Sequence, residues 1–346
     1  MTRIIGHADV TATLEMKECI TLMRRTLAGL ALGRVTMPAR QHLALPDGSG
    51  TLGMMPAFLH DGSSLGIKVL TAFAGNEGTP LDSHQGAVLL FDASNGRLLA
   101  VIDATAVTAI RTAAVSGVAT ELLSAPESRE LALLGTGTQA ITHLDAMCVV
   151  RPIVRVRVWS RSLVRATELA RQIRARGSVD AEAVGDAREA VEGAQIVCTT
   201  TSSREPVLEG AWLTPGTHVN AVGAAAPARR ELDSEAILRS ALFVDRRESA
   251  LREAGDVMIP LREGAITEAH IRAEIGELLV GLHPGRGDAA AITVFKSVGL
   301  AAEDVACARY LYDRAEAAGL GTDVSLGGAR FVMPTSEGHG GIATRH

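Results

Sequence analysis

Apolar residues change their spacing near residue 130, and the change divides the predicted elements into two kinds. Before it, Leu14, Met23, Leu27 and Leu30 recur at roughly helical intervals, which predicts a helix from Asp9 to about Leu32 with Asp9 or Thr11 as its cap. Runs of strand-forming residues follow at 35–45, 51–58, 64–73 and 86–93. Asn95-Gly96, between AVLLFDAS and RLLAVID, is a hairpin signal and predicts a two-residue type I′ turn. The first part therefore reads as a meandering sheet with a helix against it. A helix rich in Ala, Thr, Val and Gly is expected over 103–124, where small side chains let another backbone come close.

From 131 onward, short apolar runs alternate with helical segments, as a parallel sheet requires. Strands are expected at 131–134, 153–159, 195–200, 217–223 and 242–245, and helices at 138–150, 162–176, 186–193 and 231–240. Ala291–Phe295 reads as a last strand, leading to a helix from Glu303 to Ala317 that is long enough to return to the first part. The stretch 336–346, SEGHGGIATRH, is Gly-rich and without apolar periodicity, so a mobile tail is expected.

The strand at 131–134 runs into Gly135-Thr136-Gly137-Thr138-Gln139-Ala140, the strand–turn–helix pattern G-x-G-x-x-A of a dinucleotide-binding unit. Gly135 permits the tight turn, Gly137 lets the backbone approach a pyrophosphate, and Ala140 allows close helix–strand packing. The amides at the helix N-terminus then face the anion. An NAD-specific site usually carries an acid on the ribose hydroxyls, ~20 residues past the glycines. Here the second strand ends in Ser160-Arg161-Ser162, which suits a 2′-phosphate and predicts NADPH in preference to NADH. Arg161 has a plainer reading as a solvated charge at the start of the next helix.

A chain of 346 residues is long for one core and predicts two domains. With 47% hydrophobic and 21% charged residues it has the balance of a soluble globular protein. The net charge of -5 leaves no nucleic-acid footprint. No apolar run approaches ~18 residues, so no membrane span is expected, and MTRIIGHADV lacks a signal-peptide pattern. Cys19, Cys148, Cys198 and Cys307 form no C-x-x-C and read as reduced core thiols of a cytoplasmic protein. The histidines make no metal-binding cluster, so no metal is expected. Arg111 is a lone charge in its apolar stretch. It is either half of a structural Arg–Asp pair or a clamp for a phosphate or carboxylate.

Six motifs together resemble the ornithine cyclodeaminase/mu-crystallin family from about residue 30 to 320: GTLGMMPAF at 50–58, SHQGAVLLFD at 83–92, IRTAAVSGVAT at 110–120, LLGTGTQA at 133–140, NAVGAAAPARRELD at 220–233 and TVFKSVGLAAED at 293–304. SHQ, VWSR and VFKS are most like its mu-crystallin and ketimine reductase branch. The resemblance implies an α/β homodimer with a Rossmann dinucleotide-binding domain and a mixed α+β substrate and dimerisation domain built from both chain ends. The expected division is 1–115 with 305–335 for the substrate domain and 116–304 for the Rossmann domain.

By the same resemblance, Arg40, Lys68 and Arg111 correspond to the cations that hold a substrate carboxylate, with Lys68 and Arg111 the catalytic pair. Ser83, His84, Arg111, Thr112, Gly135, Gly137, Thr138, Gln139, Thr201, Ser202, Val222, Gly223 and Ser297 fall at cofactor-binding positions. Ser160, Arg161 and Ser162 fall where NADP(H)-using members hold the 2′-phosphate. One position departs from the pattern. Cyclodeaminases and related alanine dehydrogenases carry an Asp in VG-x-D-x-P that handles the substrate amine, and here Ala225 stands in its place.

An imine arrives already electrophilic, so the protein has only to hold the carboxylate, exclude water and align the nicotinamide. Arg40 and Arg111 suit a carboxylate because guanidinium pairs bidentately. Lys68 is either a surface strand lysine or, in a dry pocket, a proton donor with a lowered pKa. His84 reads as a cofactor neighbour rather than a general acid. Arg229 and Arg230 read as solvated helix-start charges, or as ligands of a second carboxylate. The expected activity is NAD(P)H-dependent reduction of a cyclic 2-imino carboxylate such as Δ1-pyrroline-2-carboxylate or Δ1-piperideine-2-carboxylate. The alternatives are an amino acid dehydrogenase or acyclic imino acid reductase, an ornithine cyclodeaminase, and a protein that binds NADPH without turnover.

Overall fold

The computed structural model describes residues 1–76, 78–326 and 328; the tail expected at 336–346 lies outside the described residues. Two sheets, each of eight described strands, carry the fold. The first is mixed. Its order is Thr322–Val324, Thr2–Ile5, Leu98–Asp103, His84–Asp92, Ser64–Ala72, Thr51–Leu59 and Val35–Thr36, with Gln41–Ala44 also paired to Thr51–Leu59. Only Thr2–Ile5 and Leu98–Asp103 run parallel. The opening and closing strands of the described chain are thus neighbours at one edge.

The second sheet is parallel throughout, in the order Asp180–Ala183, Arg155–Trp159, Glu130–Leu134, Ile196–Thr199, His218–Ala221, Thr293–Lys296, Ala241–Val244 and Ile271–Glu274. The chain steps outward from Glu130–Leu134 to Asp180–Ala183, then returns to the opposite side of Glu130–Leu134. Such a reversal opens a crevice at the carboxyl ends of the strands. Central strands such as Glu130–Leu134 and Ile196–Thr199 are buried, which is why they read as continuous apolar runs.

Between the sheets' helices lies Ala104–Leu123, capped by Asp103, whose carboxylate accepts from the Ala106 N–H at 2.7 Å. It packs on Met16–Ala31 and Thr138–Val150. With a mean hydropathy of 1.2, this helix is long and apolar enough to cross a bilayer by length and composition, although it contains Thr, Ser and Arg. It is 78% buried inside the protein, as a core helix is.

Several expected elements change form. The helix over 9–32 is two helices, His7–Thr13 and Met16–Ala31, because Leu14 leaves helical geometry (φ -91°, ψ 78°) to enter the core. The cap is Gly6 rather than Asp9 or Thr11, which both lie inside His7–Thr13, and Asp9 reaches back to accept the Gly6 N–H. The run 35–45 is split into two short strands around Pro38, which has no N–H to pair. The hairpin turn is not a type I′ pair. Asp92 accepts from Ser94 N–H, Ser94 Oγ and Asn95 Nδ2, and only Gly96 (φ 77°) takes a positive φ. The helix over 231–240 shortens to Ser234–Leu238, since Asp256 captures the Glu231 and Leu232 N–H groups and Asp233 becomes the cap. Cys148 is exposed, unlike the buried Cys19, Cys198 and Cys307, so it is not a core thiol.

Candidate active site

The dinucleotide turn has the geometry its glycines require. Gly135 takes φ 126°, and a Cβ there would stand 2.6 Å from Thr200 Oγ1. Gly137 caps the helix Thr138–Val150, and a Cβ on it would meet no atom within 4 Å, so the space above it is open. Ala140 is fully buried. Gln139 donates Nε2 to the Thr108 carbonyl at 3.5 Å, and its Oε1 is buried with no hydrogen-bond partner among the described residues. Open space at a helix N-terminus and an orphaned acceptor beside it fit a dinucleotide. Some of the expected cofactor positions lie on the same rim of the parallel sheet as this turn. Ser160–Ser162, Thr201 and Ser202, Val222 and Gly223, and Ser297 follow four different parallel strands at their carboxyl ends. Ser160 Oγ donates to the Ser162 carbonyl, and Ser162 caps the helix Leu163–Ala175.

Two loops of this rim are pinned by Glu231, which sequence reasoning passed over. Its carboxylate accepts from Thr201 N–H (2.5 Å), Gly223 N–H (2.6 Å) and Thr199 Oγ1 (2.8 Å). Burial, with Asp256 nearby, raises its pKa, and Lys296 pairs with Asp256 at 2.9 Å. Lys296 inside TVFKS was the available sequence signal: a charge within a buried strand needs a partner.

Lys68, Arg111 and Arg40 line the neighbouring space. Lys68, on the inner face of Ser64–Ala72, is 1% exposed, which overturns its reading as a surface lysine. Its Nζ stands 2.7 Å from Asp304 Oδ2 and 3.4 Å from Thr108 Oγ1. Arg111 donates Nε to Asp304 at 3.0 Å and Nη1 to Glu303 at 2.8 Å. The structural pairing is therefore real, while Nη2 donates to no acceptor among the described residues. Arg40 bonds the Val298 and Gly299 carbonyls and pairs with Glu253 at 3.0 Å. Asp245 holds that same turn from beneath through the Val298 and Gly299 N–H groups.

Thr105, Thr108, Arg111 and Thr112 share one face of Ala104–Leu123. Thr105 donates to the His84 carbonyl, and Ser83 Oγ lies 3.0 Å from His84 Nδ1. Thr108 stands between Lys68 and Gln139, so the cation cluster borders the dinucleotide crevice. Burial and the Arg111 charge push Lys68 down to about 8 against the pull of Asp304. Burial raises Glu303 to about 7. Burial works against the Arg111 charge, but Asp304 and Glu303 more than offset it, so Arg111 stays a permanent cation. Glu303, Asp304, Glu253 and Asp245 were not foreseen; the charged pair in the apolar AAEDVACA was the legible hint. Ala225 is exposed on the loop after His218–Ala221, and Arg230 turns to Ser234 and Glu263.

Fold and crevice define a Rossmann-type dinucleotide-binding protein with a second sheet drawn from both regions flanking the parallel one. The chain belongs to the ornithine cyclodeaminase/mu-crystallin family, whose sequence profile matches residues 2–319. It is similar to the ketimine reductase mu-crystallin of Mus musculus, with 41% identity over 81% of this chain and 86% of the relative. It is also similar to a Delta(1)-pyrroline-2-carboxylate reductase of Bacillus cereus, with 36% identity over 93% of this chain and 99% of the relative. Among solved structures it matches Thermococcus litoralis Delta(1)-pyrroline-2-carboxylate reductase in complex with NADH and L-proline. That match has a TM-score of 0.91 and 37% identity, covering 93% of this chain and 100% of the other.

Proposed function

We propose that this protein is an NAD(P)H-dependent reductase of cyclic 2-imino carboxylates, Δ1-pyrroline-2-carboxylate or Δ1-piperideine-2-carboxylate. The carrying observation is the buried Lys68–Arg111 pair bordering the dinucleotide crevice through Thr108. The mu-crystallin and pyrroline-2-carboxylate reductase relatives support the same chemistry. Arg40 and the Nη2 edge of Arg111 bind the substrate carboxylate, and Lys68 gives a proton to the imine nitrogen. A reduced nicotinamide, when bound, supplies the hydride that the imine carbon receives. Gly135, Gly137, Thr138 and Gln139 cradle the pyrophosphate. Thr112, Thr201, Ser202, Val222, Gly223 and Ser297 line the cofactor, with Ser83 and His84 beside it. Ser160, Arg161 and Ser162 hold a 2′-phosphate, which favours NADPH.

The same proposal includes a homodimer. Inner residues of the first sheet face the helix Ala301–Ala318, since a Cβ on Gly66 would touch Val305 at 3.0 Å. The alternate residues point away, and two cross-strand rows of them, Phe58–Leu65–Phe91 and Pro56–Ile67–Leu89, are apolar and only partly covered. A face of this kind fits a second copy of the sheet. The division into 1–115 with 305–335 and 116–304 falls within two long helices, Ala104–Leu123 and Ala301–Ala318, which both parts would share. Free cysteines accord with a cytoplasmic location.

The test is to mix NADPH or NADH with each cyclic ketimine and with 2-oxo acids plus ammonia, following nicotinamide absorbance. Rapid oxidation with a cyclic ketimine is expected. Tight NADPH binding without oxidation by any of these acids would leave a binding protein instead.

A further inference from the structure

Asp304 stands in the first turn of Ala301–Ala318 and is fully buried. One carboxylate oxygen meets Lys68 Nζ at 2.7 Å and the other meets Arg111 Nε at 3.0 Å. Glu303, its neighbour, turns instead to Arg111 Nη1 and the Leu300 N–H. The other charged or titratable groups facing Lys68 are Arg111 on Ala104–Leu123, Arg40 ahead of Gln41–Ala44, and His84 at the start of His84–Asp92. None of these is negative. Among the described residues, Asp304 is thus the acid in direct contact with the ammonium.

We propose that Asp304 is a positioning residue for the reduction, keeping Lys68 protonated and oriented while it fixes Arg111 beside it. The inference rests on Lys68 being the proton donor. In that step the imine carbon gains a hydride, the imine nitrogen gains a proton from Lys68, and solvent returns a proton to the neutral amine. Two cations this close repel, and burial disfavours both, so each needs a shared counter-charge. Burial and Arg111 already draw Lys68 down to about 8 with Asp304 opposing them. Without that carboxylate, the donor form disappears at a lower pH.

The experiment is the pH dependence of kcat for a cyclic ketimine with saturating NADPH, in wild type, Asp304→Asn and Asp304→Glu. A nearby carboxylate typically moves a partner's titration by about 1–3 pH units. The alkaline fall in kcat should therefore move about one unit or more lower in Asp304→Asn. It should return toward wild type in Asp304→Glu. A purely structural Asp304 would lower stability, or scale kcat at every pH, and leave the fall where it was. That result overturns the inference, as does failure of both variants to fold, which would make Asp304 a folding residue. Lys68→Arg tests the underlying reading separately. Loss of activity or of the alkaline fall supports Lys68 as donor, whereas a wild-type profile assigns the fall to another group and removes the basis of both.

Discussion

Gly299 lies against the Arg111 guanidinium so closely that a Cβ on it would stand 2.5 Å from Nη1 and 2.9 Å from Nη2. Its φ of 78° also suits glycine alone among common residues. With Asp245 gripping the N–H groups of this turn, the backbone cannot retreat easily. Gly299→Ala should displace the guanidinium, lowering kcat/KM for a ketimine by roughly a hundredfold, a loss of the size expected for a charge-assisted contact. Strain should cost about 1 kcal/mol or more in a urea melt. Unchanged kinetics would mean that the seat of Arg111 is irrelevant to turnover.

Arg161 is exposed directly after the strand Arg155–Trp159, with no acid among 160–162. Arg161→Ala should raise KM for NADPH far more than for NADH, because only NADPH presents a 2′-phosphate. Steady-state titration of both cofactors decides it, and an unaltered ratio removes Arg161 from the site.

Ala225 can neither accept nor donate a proton. Loss of a positioned proton-transfer group costs roughly 10²–10⁴-fold. Ornithine supplied with NAD+ should therefore release ammonia and proline at a rate far below ketimine reduction. Comparable rates in a coupled ammonia assay would show that another group does the work of the missing Asp. Ala225→Asp should move the balance toward amine oxidation.

Two buried histidines make acid destabilisation predictable. Burial pushes His218 down to about 3 and His143 to about 4, from an ordinary 6.5. Below 6.5 the unfolded chain therefore binds protons that the folded chain refuses. The stability gained by keeping these rings neutral is complete above that pH and is lost as the pH falls. Each ring contributes a slope of up to about 1.4 kcal/mol per pH unit within its window. His143→Gln should make the urea-derived stability curve shallower by somewhat less than one proton between pH 4.5 and 6, a span inside the His143 window. A parallel curve would mean that His143 titrates normally in the folded protein.

The apolar outer rows of the first sheet give a test of assembly. Ile67→Asp puts a carboxylate between Pro56 and Leu89 on that face. Sedimentation velocity should show a dimer for wild type and a monomer for the variant. A wild-type monomer, or a dimer indifferent to the charge, would place assembly elsewhere.

Much of the parallel sheet was legible because its strands are buried on both faces. Leu131–Leu134 and Ile196–Thr199 announce themselves as apolar runs. Asp180–Ala183 did not, since an edge strand written DAEA looks like a loop until its neighbour is known. Thr2–Ile5 and Ile271–Glu274 were missed for a similar reason: each is short and takes its strand character from a partner distant in sequence. The glycine turn is a local device, so its residues could be named in advance. The acids that neutralise Arg40, Lys68 and Arg111 come from the far end of the chain, and no spacing rule connects Lys68 with Asp304 or Arg40 with Glu253. Local pattern shows which charges need partners, and only the tertiary fold shows which partners they find.

The edge formed by Thr2–Ile5 and Thr322–Val324 has a consequence for how the protein is made. A ribosome delivers residues 2–103 first, with Lys68 among them, and then Arg111. The parallel sheet closes only with Thr293–Lys296, and the carboxylates of Glu303 and Asp304 emerge just behind it. Until that helix arrives, Lys68 and Arg111 are cations without their counter-charges, and desolvating them is unfavourable. The cluster therefore enforces an order of maturation. Drying of the first sheet's inner face around Lys68 is therefore favourable only once the helix Ala301–Ala318 is in place.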